Sequence, residues 1–184
     1  MIDNTGKKTM GKVATLADRL VEARNASVPD FGAIEHRLEL VDVIDGVEYI
    51  NDSKATDVGA AEYSLEYVQK PLLWIVSESE FDEDYEALKK LVTYKIIGVI
   101  AYGRDTSKIG QALSNCADYY LDSHSLEDAL KTANALARKG QVVLFSPAAP
   151  GYPDFENFKQ RGEAFRELVR GLHHREGRYE PSRQ

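Results

Sequence analysis

The 184-residue chain has a single cysteine, Cys116. Neither an internal disulfide framework nor a Cys-rich zinc site can be built from it. Its apolar runs, LLWIV and IIGVIAY, fall far short of the roughly 20 residues that cross a bilayer. The opening MIDNTGKKTMGK lacks a signal peptide's apolar core. Basic charge is also short: 23 Lys and Arg stand against 30 Asp and Glu, a net charge of −7. That balance argues against a partner made of nucleic acid or an anionic membrane surface. No G-x-G-x-x-G follows a strand-like run and no G-x-x-x-x-G-K-[ST] occurs; Gly6-Lys7 and Gly11-Lys12 stand in a polar segment. Ser146 has no G-x-S-x-G around it. His36, His124 and the pair His173-His174 show no metal spacing with nearby acids, so no metal ligand is assigned.

What is present is globular. Hydrophobic residues make up 43% and charged residues 29%, and a chain of this length buries roughly 70% of its unfolded surface. The expectation is a soluble, acidic, cytoplasmic domain. Residues 13–25 place Val13, Leu16, Leu20 and Val21 on one helical face. Ser27-Val28-Pro29-Asp30 stops that helix, because proline disfavours helical geometry in the residue before it. Residues 1–30 therefore read as a tail and short helix too small for a core of their own.

From His36 onward the pattern changes. Two short β-prone runs, 38–44 and 47–50, flank Asp45-Gly46, a strong two-residue hairpin signal. Strand-like runs at 72–76, 96–102, 119–121 and 142–145 then alternate with helical stretches near 60–68, 85–92, 108–113, 126–138 and 158–172. Such alternation means βαβ units, and continuous apolar strands suit a sheet covered on both faces. The expected fold is α/β: a Rossmann-like, doubly wound, mostly parallel sheet with an N-terminal β-hairpin. Residues 31–172 form the domain, and the polar residues 173–184 read as a tail.

In an open parallel sheet, ligands bind beyond the carboxyl ends of the strands. Two loops there carry chemistry. Asn51-Asp52-Ser53-Lys54-Ala55-Thr56-Asp57 leads into a helix that Thr56 or Asp57 can cap. Free N–H groups beside Lys54 would make an anion site; the alternative is a capped helix with a solvated lysine. The second loop, 146–157, holds three prolines and a glycine and is stiff and shaped. Its Tyr152 and Phe155 either line a pocket or close the edge of the core. The acid-rich stretch 78–83 reads as a solvated turn.

Taken in order, Glu35-His36-Arg37-Leu38-Glu39, the hairpin, Ile50-Asn51-Asp52-Ser53-Lys54-Ala55-Thr56-Asp57, Ser146-Pro147-Ala148 and Phe155-Glu156-Asn157-Phe158-Lys159-Gln160-Arg161-Gly162 resemble the Mur ligases, nearest the D-glutamate-adding type. The resemblance covers residues from about 30 to 172, the third and C-terminal domain of that family.

The resemblance implies an ATP-dependent ligase that joins an amino acid to a carboxylate through an acyl phosphate, with ATP and magnesium as cofactors and a role in peptidoglycan biosynthesis. Arg37, Asp52 and Lys54 would face the nucleotide: Asp52 toward the ribose, Arg37 toward the phosphates, Lys54 beside the transferring phosphoryl group as the catalytic cation. Thr56, Asn157 and Phe158 would border the acceptor amino acid. The family's UDP-sugar and ATPase domains have no counterpart in these residues, and 13–30 resemble the last helix and linker of the ATPase domain. Where the family has Gly-Gly and a lysine after the second parallel strand, this chain has Ser77-Glu78-Ser79-Glu80-Phe81-Asp82; where a serine meets the amino acid, it has Gly151. The resulting expectation is a stand-alone domain that binds no cofactor tightly and is not catalytic by itself. The alternative is the C-terminal subunit of a split ligase whose partner is a separate ATPase-domain or Mur ligase chain. The small-molecule ligand is not named by the sequence.

Overall fold

The computed structural model describes residues 34–150 and 154–176. The helix expected at 13–25, Gly151 and Tyr152 lie outside the described residues.

The hairpin forms where its turn dictates. β1 (Glu39–Ile44) and β2 (Val47–Asn51) pair antiparallel, with Ile44 opposite Val47. Asp45 and Gly46 both take positive φ, 51° and 78°, as the favoured two-residue turn requires. Chain order then runs α1 (Val58–Tyr67), β3 (Leu72–Ser77), a 3₁₀ turn (Tyr85–Leu88), α2 (Lys89–Lys95), β4 (Ile96–Tyr102), α3 (Ser107–Leu113), β5 (Tyr119–Ser123), α4 (Leu126–Leu136), β6 (Val142–Phe145) and α5 (Phe158–Glu176). The six strands form one sheet in the order β1-β2-β6-β3-β4-β5, parallel except for β1.

Two local expectations are corrected. The stretch 85–92 is not one helix: Tyr85 and Leu88 bury three residues apart in the tighter turn, and the α-helix starts only at Lys89. The polar residues after 172 do not begin a tail there, because α5 continues to Glu176. His173 on this last stretch pairs with Asp42 of β1 at 2.8 Å.

Both sheet faces are covered. Leu73 and Ile75, Ile100 and Tyr102, and Val143 and Phe145 pack with Leu126, Leu130, Phe165 and Val169 of α4 and α5. The alternate residues Leu72, Trp74, Val76 and Leu144 are equally buried. Continuous apolar strands thus serve two cores. The same geometry brings the carboxyl ends of β2, β6, β3, β4 and β5 to one edge.

Candidate functional site

At that edge, the loop after β2 is held by its own side chains. Asn51, Asp52 and Ser53 are fully buried while Lys54 is exposed. Asp52 accepts from Leu38 N at 3.1 Å and from Ser146 Oγ at 2.7 Å, and its own N donates to Phe145 O at 2.8 Å. Burial pushes its carboxyl above the usual carboxylate range; the hydroxyls of Ser64 and Ser146, Leu38 N–H and the charge of Arg37 oppose that shift. His36 and Leu38 adopt positive φ, 61° and 46°, an uncommon conformation for residues with a side chain. The bond from Asp52 to Leu38 and that from Lys54 N to His36 O, 3.0 Å, hold them there.

Asn51 and Ser53 bind the loop to α5. Asn51 Oδ1 accepts from Ser53 N at 3.1 Å, which fixes the amide's orientation; its Nδ2 donates to Gly162 O, 3.3 Å, and lies 3.0 Å from His36 Nδ1. A Cβ at Gly162 would overlap the His36 ring, so only glycine admits that packing. Ser53 Oγ donates to Phe158 O at 2.8 Å. Arg161, wholly buried, donates to Ser53 Oγ (3.0 Å), Ser53 O (2.9 Å) and Ala149 O (2.6 Å). No carboxylate pairs with it among the described residues, and burial works against its charge. Carbonyl dipoles hold this guanidinium in place of an anion.

Arg37, Asp52 and Lys54 meet, with Ala55, Ala60 and Ser64, around a cavity of about 20 Å³. Thr56 is half-buried on the same loop, and Asp57 is the residue that caps α1, accepting from Ala60 N at 2.8 Å. Asn157 is exposed and caps α5, its Oδ1 accepting from Lys159 N (2.9 Å) and Gln160 N (3.0 Å). Phe158, half-buried, meets His36 edge-on at 6.4 Å. The sequence reading did not single out Arg161, Ser53, Asn51 or Ser146 as anchors. Arg161 had a signal: it lies on the stripe Phe158-Arg161-Phe165-Val169, the face of α5 turned to the core.

The loop after β3 is more ordered than a solvated turn. Glu78 Oε2 accepts from Asp105 N at 2.5 Å and packs where a side chain on Gly103 would sit. Asp82 pairs with Lys108 Nζ of α3 at 2.9 Å, and Glu83 accepts from Val58 N at 3.3 Å. A lysine absent from this loop in sequence thus reaches it in space. A separate cavity of about 490 Å³ lies between the start of α4 and α5, lined by residues including Ser125, Glu127, Phe155, Glu167 and Leu168. It shares no residue with the Arg37 and Lys54 cavity. Phe155 both lines it and packs on the core.

Among the described residues, Glu35, His36 and Glu163 are near enough together to hold a metal. Their chemistry does not fit one. The Asn51 amide donates to His36 Nδ1, so the network assigns the neutral ring's proton to Nε2, 3.9 Å from Glu35. A protonated nitrogen has no lone pair to give. Arg166 also neutralises the acids: it grips Glu39 through two 2.9 Å bonds and pairs with Glu35 and Glu163. Burial and Arg166 both lower the His36 pKa. Magnesium therefore finds no fitting ligand set in these three residues.

Residues 36–149 match the family model described as Mur ligase, glutamate ligase domain. The chain is 37% identical over 163 residues to the UDP-N-acetylmuramoylalanine--D-glutamate ligase of Salinibacter ruber, covering 86% of this chain and 35% of that protein. The enzyme of the same name from Christiangramia forsetii is also 37% identical, over 86% of this chain and 37% of its own. The chain thus spans about a third of the length of these relatives. Its fold is similar to that of the MurF ligase from Thermotoga maritima in complex with ADP, with a TM-score of 0.53, 16% identity, and coverage of 85% of this chain and 38% of that one. A domain from a putative UDP-N-acetylmuramate:L-alanyl-gamma-D-glutamyl-medo-diaminopimelate ligase of Haemophilus ducreyi matches with a TM-score of 0.51 and 14% identity, over 74% of this chain and 96% of that one.

Proposed function

The chain belongs to the Mur ligase family, through its glutamate ligase domain, and on that premise we propose that it retains one edge of a nucleotide and acceptor site and forms no amide bond by itself. The observation that carries this reading is the 20 Å³ cavity among Arg37, Asp52 and Lys54. It has room for about one water, which needs roughly 10–15 Å³ of such space, so a nucleotide would lie against it and not within it. Arg37 and Lys54 offer positive charge to its phosphates, as the family's use of ATP requires. The family's magnesium would have to come with the phosphates or from another chain. Thr56, Asn157 and Phe158 would border the acceptor end, and in the sequence Gly151 and Phe81 or its neighbours fall where the family has the donors that a dicarboxylate needs. A cytoplasmic location goes with this reading.

A calorimetric titration with ATP tests it. A one-sided edge leaves the ligand largely hydrated, so the expected Kd is weaker than about 10 μM, equivalent to about −7 kcal/mol. Lys54→Ala should remove more of that binding than Arg104→Ala; tight binding, or binding indifferent to Lys54, contradicts the reading.

One observation favours a second reading, a ligase completed by a partner chain that supplies the ATPase domain. Lys54 is exposed and makes no ion pair among the described residues, which leaves a cation ready for phosphate. Recovery of an ATPase-domain chain in a pull-down from the native cell would establish that reading.

A further inference from the structure

Two buried groups meet no hydrogen-bond partner among the described residues: Arg161 Nη1 and the hydroxyl of Tyr102, the last residue of β4. Arg161 is wholly buried and Tyr102 is 1% exposed. The guanidinium gives Nε to Ser53 Oγ and Nη2 to Ser53 O and Ala149 O, so dipoles hold one side of it and both hydrogens of Nη1 remain. Ser77, opposite Tyr102 across the sheet, has given its hydroxyl proton to Glu78 O at 3.0 Å. Buried polar groups of folded proteins almost always have a partner, so an orphaned pair calls for one. Charge sharpens the need. Arginine has five donors, no acceptor and a permanent charge, and burial works against that charge here. The two groups adjoin: each acts on the other's ionisation, and Arg161 is the largest charge felt by the Tyr102 hydroxyl, ahead of Asp154 and Glu78. A direct bond between them would leave the phenol proton and the charge unmet. A water would take the hydrogens without balancing the charge, and an uncompensated buried charge is costly.

We propose that a small monovalent anion of about the size of chloride binds between Arg161 Nη1 and the Tyr102 hydroxyl. There it accepts a charge-assisted hydrogen bond from the guanidinium and a second bond from the phenol. Because Arg161 joins the loops after β2 and β6 to α5, the ion steadies all three. The closed surroundings admit an ion of one or a few atoms and exclude a nucleotide or an amino acid. The inference is independent of the nucleotide edge, since it uses none of Arg37, Asp52 and Lys54.

The test uses the full chain in a buffer whose only anion is gluconate, into which chloride is exchanged at constant ionic strength. Thermal unfolding and the chloride NMR line width are followed in the parent, Tyr102→Phe and Tyr94→Phe. Tyr102→Phe removes the hydroxyl and keeps the ring that meets Phe145 at 6.3 Å. Tyr94, 88% exposed, is the matched control. In the parent, chloride at about ten times its dissociation constant should raise Tm by about 3–5 °C and broaden the chloride signal saturably. Tyr102→Phe should weaken chloride at least tenfold by both measures, and Tyr94→Phe should change it less than twofold. A response of parental size in Tyr102→Phe would place the chloride effect elsewhere and overturn the proposal. A parent whose Tm and line width ignore chloride would overturn it as well, a water then serving both groups.

Discussion

At the scale of single residues, the motifs do more fastening than binding. Arg161 links the loop after β2, the loop after β6 and α5 through three hydrogen bonds. Arg161→Ala strips buried acceptors of their donors and leaves a void, and should destabilise the chain by about 2–5 kcal/mol in urea unfolding. Arg161→Lys should recover less than half of that loss, because one ammonium cannot reproduce the planar fork in which Nε donates to Ser53 Oγ while Nη2 donates to Ser53 O and Ala149 O. His36 adds a pH dependence. Its native pKa is held below the ordinary 6.5 by burial and Arg166, against the pull of Glu35, Glu39 and Glu163. The unfolded chain binds that proton more readily, so the contribution is complete above about pH 6.5 and is lost as pH falls through the native value. His36→Asn, which tolerates the positive φ, should flatten the wild-type fall in urea stability between about pH 7 and pH 5. An unchanged slope would show that another group carries it.

At the scale of elements, the sequence was legible wherever one local rule decided. Asp45-Gly46 announced its turn, and the apolar runs announced buried parallel strands. The break between Tyr85–Leu88 and Lys89–Lys95 was hidden because Tyr85, Leu88 and Val92 keep a helical spacing through it. The end of α5 was hidden because its last residues, 173–176, are all polar. The site divides in the same way. Asp52 and Lys54 share one loop in the sequence, and only the resemblance joined Arg37 to them at the cavity they line. Lys108 reaching Asp82, and Glu83 reaching Val58, join residues 26 and 25 positions apart through the packing of α3 and α1, which no local pattern encodes. Asp57 gives a simple check on α1: Asp57→Ala should cost about 1 kcal/mol in thermal or urea unfolding, the ordinary loss of a helix cap.

At the scale of the whole molecule, a lysine with no ion pair among the described residues lines a cavity too small for a nucleotide. Phosphoryl transfer depends almost wholly on positioned phosphate and metal contacts, and the described residues supply only one cationic edge. D-Glutamate should accordingly produce no saturable shift at the Thr56 and Phe158 amides at millimolar concentration. The most direct test of the central claim is phosphate release by the full chain supplied with ATP, magnesium, UDP-N-acetylmuramoyl-L-alanine and D-glutamate, run beside its Lys54→Ala variant. The account predicts release no greater than a protein-free blank from either protein. Release above the blank by the parent chain that Lys54→Ala abolishes would contradict it.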